Sequence, residues 1–328
     1  MRIGIVGVGR IGRLHAHLLH RDVPGAIVAA VADVVPATAD RVATELGLEE
    51  AGIEHLLHRD DVDAVAICTS TPTHVDLIIE AARAGKAILC EKPISLDLAA
   101  VDRAIAAVES AGVAFMVGFN RRFDPGHAAV HDAVRTGAIG DLHLLRITSR
   151  DPAPPAPEYV AASGGIFLDM TIHDFDMARH IVGAEVVDVF ARGAVRIDPR
   201  IGAAGDVDTA VTVLTHTDGT ITTIDNSRRA VGGYDQRIEA FGSVGTAVSD
   251  NPIGQPTGAG GTAGTAPGTF LERYMASYRR EWAAFVDLVR DGGPSPVDTR
   301  DGRAPVAIAI AATRSLREGR AVTLDEIG

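Results

Sequence analysis

The chain has 328 residues, 46% of them hydrophobic and 23% charged, which is enough for two ordinary domains with their own cores. No stretch approaches the roughly 20 uncharged apolar residues of a membrane span, and a formal charge of −12, from 31 basic against 43 acidic residues, argues against nucleic acid as a partner. Cys68 and Cys90 are the two cysteines; they lack the spacing of a zinc or redox pair and read as buried reduced thiols.

The amino end enters a strand pattern at once, so the reading expects no secretory leader and a cytoplasmic protein. Residues 2–6 form a β-branched run that breaks into Gly7-Val8-Gly9-Arg10-Ile11-Gly12 and then a helix-like segment. In a strand–turn–helix of this kind one glycine makes the tight turn and one lets the backbone approach a pyrophosphate. The third allows close helix-to-strand packing, and the helix amino terminus faces the phosphates. A second strand at 27–32 ends in Asp33, 21 residues after Gly12, where a carboxylate accepts from the ribose hydroxyls and repels a 2′-phosphate. Val34, Val35 and Pro36 offer no cation for such a phosphate, so the expected cofactor is NAD rather than NADP.

Alternation continues with a helix at 36–46, a weak strand at 53–57 and a strong one at 64–68. Thr69-Ser70-Thr71-Pro72-Thr73-His74 follows, and Pro72 suits the first turn of the next helix. Hydroxyls at a strand's carboxyl end lie where an open parallel sheet binds ligands, although they also serve as ordinary helix caps. The strand at 86–90 delivers Glu91-Lys92-Pro93 to the same edge, and a helix at 96–110 and a strand at 113–117 lead to Asn120. The residues expected to border the dinucleotide are Gly7, Gly9, Arg10, Ile11, Gly12, Asp33, Thr69, Ser70, Thr71, His74, Glu91, Lys92 and Asn120. Six strands with intervening helices describe a doubly wound Rossmann domain over 1–122.

From Pro125 the pattern changes to a helix, a strand at 142–148 and a stiff proline-rich loop from Asp151 to residue 157. Gly164 and Gly165 then open a segment expected to be helical to about residue 182, carrying Asp169 and His173 four residues apart and so on one face. A Gly-Gly entry is expected to let the backbone come close to something bound. Strands at 185–197, 207–217 and 220–228 follow, the last two joined at Asp218-Gly219, and further strands lie at 234–241 and 246–249. The Gly/Thr/Ala-rich stretch 254–268 reads as a mobile loop. Phe270, Tyr274, Tyr278, Trp282, Phe285 and Val289 at helical spacing read as core, before a helix at 303–317 and a short strand at 321–324. The fold class expected is α/β: an N-terminal Rossmann sheet, then an α+β domain over 123–328 with a mostly antiparallel open sheet.

Gly7-x-Gly9-x-x-Gly12, Glu91-Lys92-Pro93, the run 117–123 and Gly164-Gly165…Asp169-x-x-x-His173-Asp174 together resemble the glucose-fructose oxidoreductase and inositol dehydrogenase family over essentially the whole chain. The resemblance implies that Lys92, Asp169 and His173 form a catalytic set, that Arg122, Asp151 and Tyr234 contact the substrate, and that a homotetramer forms through the second-domain sheet. It implies NAD-dependent oxidation of a ring hydroxyl of a cyclic polyol, inositol first. Another inositol isomer or an aldose as substrate, and an NAD-using glycosidase, are the alternatives. His173, with an unperturbed pKa near 6.5, suits the base, Lys92 would stabilise negative charge on oxygen and Asp169 would orient; on sequence alone the first two roles can be exchanged. An Asp and a His are only two ligands, so no metal is assigned.

Overall fold

A computed structural model describes residues 1–251 and 268–328. The stretch read as a mobile loop lies, apart from Gly268, outside the described residues. The chain divides into two units, Met1–Asn120 with Tyr278–Ala304, and Arg121–Ser277 with Pro305–Gly328. The boundary expected after residue 122 therefore falls after Asn120, and 278–304 belongs to the first unit. The reason is burial inside that unit: Trp282 is fully enclosed, and its indole N–H finds an acceptor on His15.

The first unit holds a parallel sheet of β1 (Arg2–Val6), β2 (Ile27–Ala32), β3 (Ala64–Ile67), β4 (Ala87–Glu91) and β5 (Phe115–Gly118), in the order β2-β1-β3-β4-β5. The order reverses direction at β1, so the carboxyl ends of β1 and β3 border a switch point where doubly wound sheets take their ligands. The expected strand at 53–57 is instead a short helix, Ile53–Leu57, and the sheet has five strands. Leu56 and Leu57 are both buried, which neighbouring residues of a half-buried strand cannot be; Leu56 lies where a Cβ on Gly4 would have to be. Helix ends follow local chemistry. Asp97 caps Leu98–Ala111 by accepting from the Ala100 N–H at 2.8 Å, and Gly47 and Gly112 close their helices in the left-handed conformation.

The second unit is built on a sheet of β6 (Leu142–Arg150), β7 (Val186–Ala194), β8 (Thr209–His216), β9 (Ile221–Ser227), β10 (Asp235–Gly242), β11 (Thr246–Ser249) and β12 (Val322–Thr323). Their order is β11-β10-β6-β9-β8-β7-β12, with β6 and β9 parallel and the other neighbours antiparallel. Period-two alternation sets the faces. In β8, Ala210, Thr212, Leu214 and His216 are buried, while Val211 is half exposed. The helices Pro125–Arg135 and Ile172–Val182 pack on one side. Within the aromatic series, Tyr274, Tyr278, Trp282 and Phe285 are core, and Phe270 and Val289 are intermediate.

His127 on the first of those helices is buried, with Nδ1 2.9 Å from Ser249 Oγ and Nε2 3.4 Å from Tyr274 Oη. Burial, helped by the Arg273 and Arg121 charges and opposed by Asp124, pushes its imidazole down to about 3. The folded form thus holds a neutral ring whose unfolded counterpart titrates near 6.5. Its contribution is complete above that value and is lost as pH falls towards about 3. Unfolding free energies from denaturant titrations between pH 7 and pH 5 should fall by up to about 1.4 kcal/mol per pH unit from this residue. The slope should be shallower in His127→Gln; equal slopes would remove His127 as a cause of acid sensitivity.

Candidate active site

The glycine turn meets the demands of a pyrophosphate cradle in the first unit. Gly7 has φ +86°, and a Cβ there would meet Thr69 N at 2.7 Å. At Gly12 a Cβ would lie 1.9 Å from Gly7 O, so only glycine lets the Arg10–Arg21 helix sit this close to the turn. Gly9 differs, because no atom lies within 4 Å of its would-be Cβ and the protein's own packing does not require glycine there. That open space lies at the amino end of a helix with no side-chain cap and no acid in its first turn, a set of N–H donors suited to an anion. Arg10 is exposed and Ile11 intermediate beside it.

Asp33 accepts from the Val8 N–H and the Val35 N–H, both at 2.9 Å, which fixes its carboxylate just beyond β2. Val34 is 84% exposed, leaving no cation from that neighbour for a 2′-phosphate. These residues fit a bound NAD. Thr69 and Thr71 are intermediate and Ser70 exposed at the end of β3. His74, expected as a cofactor contact, is 1% exposed, and its ring nitrogens lie 2.8 Å from Pro93 O and 3.1 Å from Thr69 O. Burial lowers its pKa, and as a neutral ring it has a single N–H to donate to one of these two carbonyls.

Glu91, also expected at the cofactor, turns its carboxylate inward. Oε1 lies 2.8 Å from His15 Nε2, and the other oxygen lies where a Cβ on Gly118 would reach. Trp282 donates its indole N–H to His15 Nδ1 at 2.9 Å, so the neutral ring carries its proton on Nε2 and donates to Glu91. Glu281 is fully buried nearby, and burial, with the Glu91 charge, pushes its carboxyl well above the usual carboxylate range. This network anchors β4 directly before Lys92, whose side chain is intermediate in exposure and whose peptide to Pro93 is cis. Asn120, at the end of the unit, is buried. Trp282 and His15 are 267 residues apart, and no short-range pattern points to their pairing.

In the second unit Asp169 does not start on an α-helix. Residues Phe167–Thr171 form a π-helical turn that runs into the α-helix Ile172–Val182, and the Thr171 hydroxyl donates to Ile166 O, five residues back, at 3.2 Å. Such an extra residue per turn is common where a helix must aim side chains at a site. The two glycines serve the protein itself. Gly164 closes a short helix, Pro157–Ser163, that the proline-rich loop had not led us to expect. Gly165, at φ +82°, leaves room for Asp206, whose carboxylate a Cβ would meet at 2.9 Å. Close approach is real, but its partner is a side chain of this unit.

Asp169 Oδ2 accepts from Arg228 Nη1 at 2.7 Å, and Oδ1 accepts from the Tyr159 hydroxyl at 2.8 Å. Asp151 Oδ2 lies 3.8 Å from the same Arg228 nitrogen. The structure thus gathers Asp151 and Asp169 around one guanidinium, with His173 four residues further along the helix. Arg228 and Tyr159 were not expected from the sequence. A lone Arg after a strand and a Tyr after a proline-rich loop carry no spacing signal.

The two other expected substrate contacts are engaged within the unit. Arg122 is 8% exposed and donates from Nε and Nη2 to Asp176 at 2.9 and 2.5 Å. Tyr234 is 6% exposed; its hydroxyl accepts from Arg121 Nη2 at 3.3 Å, and burial raises its pKa. Arg121 in turn donates to Asp174 at 2.6 Å, and Asp174 accepts from Asn226 at 2.8 Å. Buried arginines with paired carboxylates brace the helix that carries His173, and Arg122 and Tyr234, expected at the substrate, both belong to this network. Among the described residues no group of three or more His, Cys, Asp or Glu is placed to hold a metal ion, and no helix is long and apolar enough to cross a membrane.

Comparison with known proteins matches residues 1–119 to the oxidoreductase family NAD-binding Rossmann fold and residues 127–248 to the GFO/IDH/MocA C-terminal domain. The chain is 48% identical to a myo-inositol 2-dehydrogenase of Thermotoga maritima, covering 100% of this chain and 99% of that one. It is 45% identical to an inositol 2-dehydrogenase of Rhizobium meliloti, covering 99% of each. The crystal structure of scyllo-inositol dehydrogenase from Lactobacillus casei with bound NAD(H) and scyllo-inositol superposes with a TM-score of 0.90 at 31% identity, covering 99% of each chain. The glycine turn, the two matched domains and the full-length relatives agree: the chain belongs to the GFO/IDH/MocA family of NAD-binding oxidoreductases.

Proposed function

We propose that the protein oxidises one ring hydroxyl of a cyclic polyol, myo-inositol to its 2-keto derivative first, with NAD as hydride acceptor. The observation that carries the reading is the Asp169 carboxylate, held by Arg228 and Tyr159 on a π turn one helical turn before His173. When bound, NAD supplies the hydride-accepting ring, and the chain supplies placement and proton transfer. His173 removes the hydroxyl proton, Asp169 orients, and Lys92 on the first unit stabilises negative charge on the oxygen. Asp151, beside Arg228, is the remaining substrate contact in this reading; Arg122 and Tyr234 act through the scaffold beneath it.

The reading places the enzyme in the cytoplasm and in inositol catabolism. It also makes it a homotetramer built on the sheet face that carries half-exposed Val211, Ile221, Phe241 and Val248. Light scattering should give the mass of four chains, and a monomer would remove that part. The functional test is NADH absorbance with NAD across inositol isomers and aldoses. NADH growth with an inositol alone is expected. Silence across the panel would overturn the reading, and release of a hydrolysed glycoside without NADH would replace it with a glycosidase.

A further inference from the structure

We infer that Arg228 is a positioning residue of the reaction, holding Asp169 as an oriented anion for the substrate; the inference rests on the dehydrogenase reading above. Arg228 follows β9 directly, and its backbone N–H donates to Asp208 O at 2.8 Å, so its place beside β8 is fixed. The side chain is 2% exposed. Nη1 bonds to Asp169 at 2.7 Å and lies 3.8 Å from Asp151, while Nε and Nη2 are buried and without hydrogen-bond partners among the described residues.

A buried guanidinium with unfilled donors is not what fold stability alone favours, because each donor loses water and gains nothing in return. Its use lies in the charge it supplies. Asp206, lodged against Gly165, is a third nearby carboxylate, with one oxygen buried and unbonded. Burial raises its pKa while the Arg228 charge lowers it and the Asp169 charge raises it. One cation therefore faces Asp151, Asp169 and Asp206. Without it, three carboxylates share a small volume, and Asp169 either takes a proton or swings away from its neighbours. Tyr159 would still donate to Oδ1, but a phenol neither supplies charge nor fixes the second oxygen.

The test uses the full chain with Arg228→Ala and Arg228→Lys. Arg228→Ala should lower kcat about 10²-fold, the usual consequence of misplacing a reacting group, with NAD affinity unchanged. Added guanidinium ion should restore part of the lost turnover in the alanine variant and do nothing for the wild type. Arg228→Lys, which keeps the charge on a single point donor, should fall in between. Turnover of Arg228→Ala near the wild-type rate overturns the proposal, as does a loss that guanidinium does not restore and that follows a fall in melting temperature. If the wild type itself makes no NADH with any polyol, the dehydrogenase reading fails on its own. Arg228 is then judged by carbon-13 titration of the Asp169 carboxyl, whose charged or titratable neighbours include Arg228, Tyr159 and Asp206, with Asp151 across the guanidinium and His173 on the same helix. A higher midpoint in Arg228→Ala supports the holding role, and an unchanged one overturns it.

Discussion

His173→Ala should lower turnover with an inositol at least about 10²-fold while NAD binding is unchanged, which is the ordinary effect of removing a positioned proton-transfer group. NAD binding is spared because the glycine turn and Asp33 belong to the first unit, and His173 lies in the second. Lys92→Ala should cost turnover by a similar factor, because the cation assigned to stabilise charge on the substrate oxygen is removed. The pH–rate profile separates their roles. If His173 is the base, the acidic limb of the profile disappears in the alanine variant and survives in Lys92→Ala. The reverse outcome exchanges the two roles, and near-normal turnover in either variant removes that residue from the mechanism.

The second large effect concerns two glycines three residues apart. Gly12→Ala drives a methyl group to 1.9 Å from Gly7 O, a backbone atom with no room to yield, so the helix must withdraw from the turn. A destabilisation of about 1–3 kcal/mol and at least a tenfold loss of NAD affinity are expected. Gly9→Ala meets no protein atom within 4 Å, and the fold should melt as the wild type does. Its methyl group would enter the space over the helix amino terminus, so NAD affinity alone should fall. Calorimetric NAD titration beside thermal unfolding separates the cases. Normal NAD binding by Gly9→Ala would show that the pyrophosphate does not lie on this turn.

The legible parts of the site were those written in short sequence. The glycine turn and Asp33 are a local constellation, because turn, strand end and helix start are consecutive and each glycine answers a backbone requirement. The expectation that Asp169 and His173 act together came from helical spacing, which brings residues four apart to one side. The π turn that carries Asp169 could not be read, since no composition rule separates it from α-helix. Nor could the uses of Glu91, His74 and Arg122, which depend on His15, Pro93 and Asp176 reaching them across the fold.

By itself the sequence determined most of the strands and helices, the glycine turn of a dinucleotide-binding domain, and the two-part architecture. Each of these follows from periodicity or backbone sterics over a few residues. Tertiary structure alone decided that 278–304 joins the first unit, that 53–57 is a helix, and that Gly165 admits Asp206. It also decided that Arg228, 59 residues from Asp169 in the chain, supplies the cation beside it. Hydrogen bonds and charges act through space, and which side chain fills a given donor or acceptor is fixed only once β-strands and loops distant in sequence have packed together.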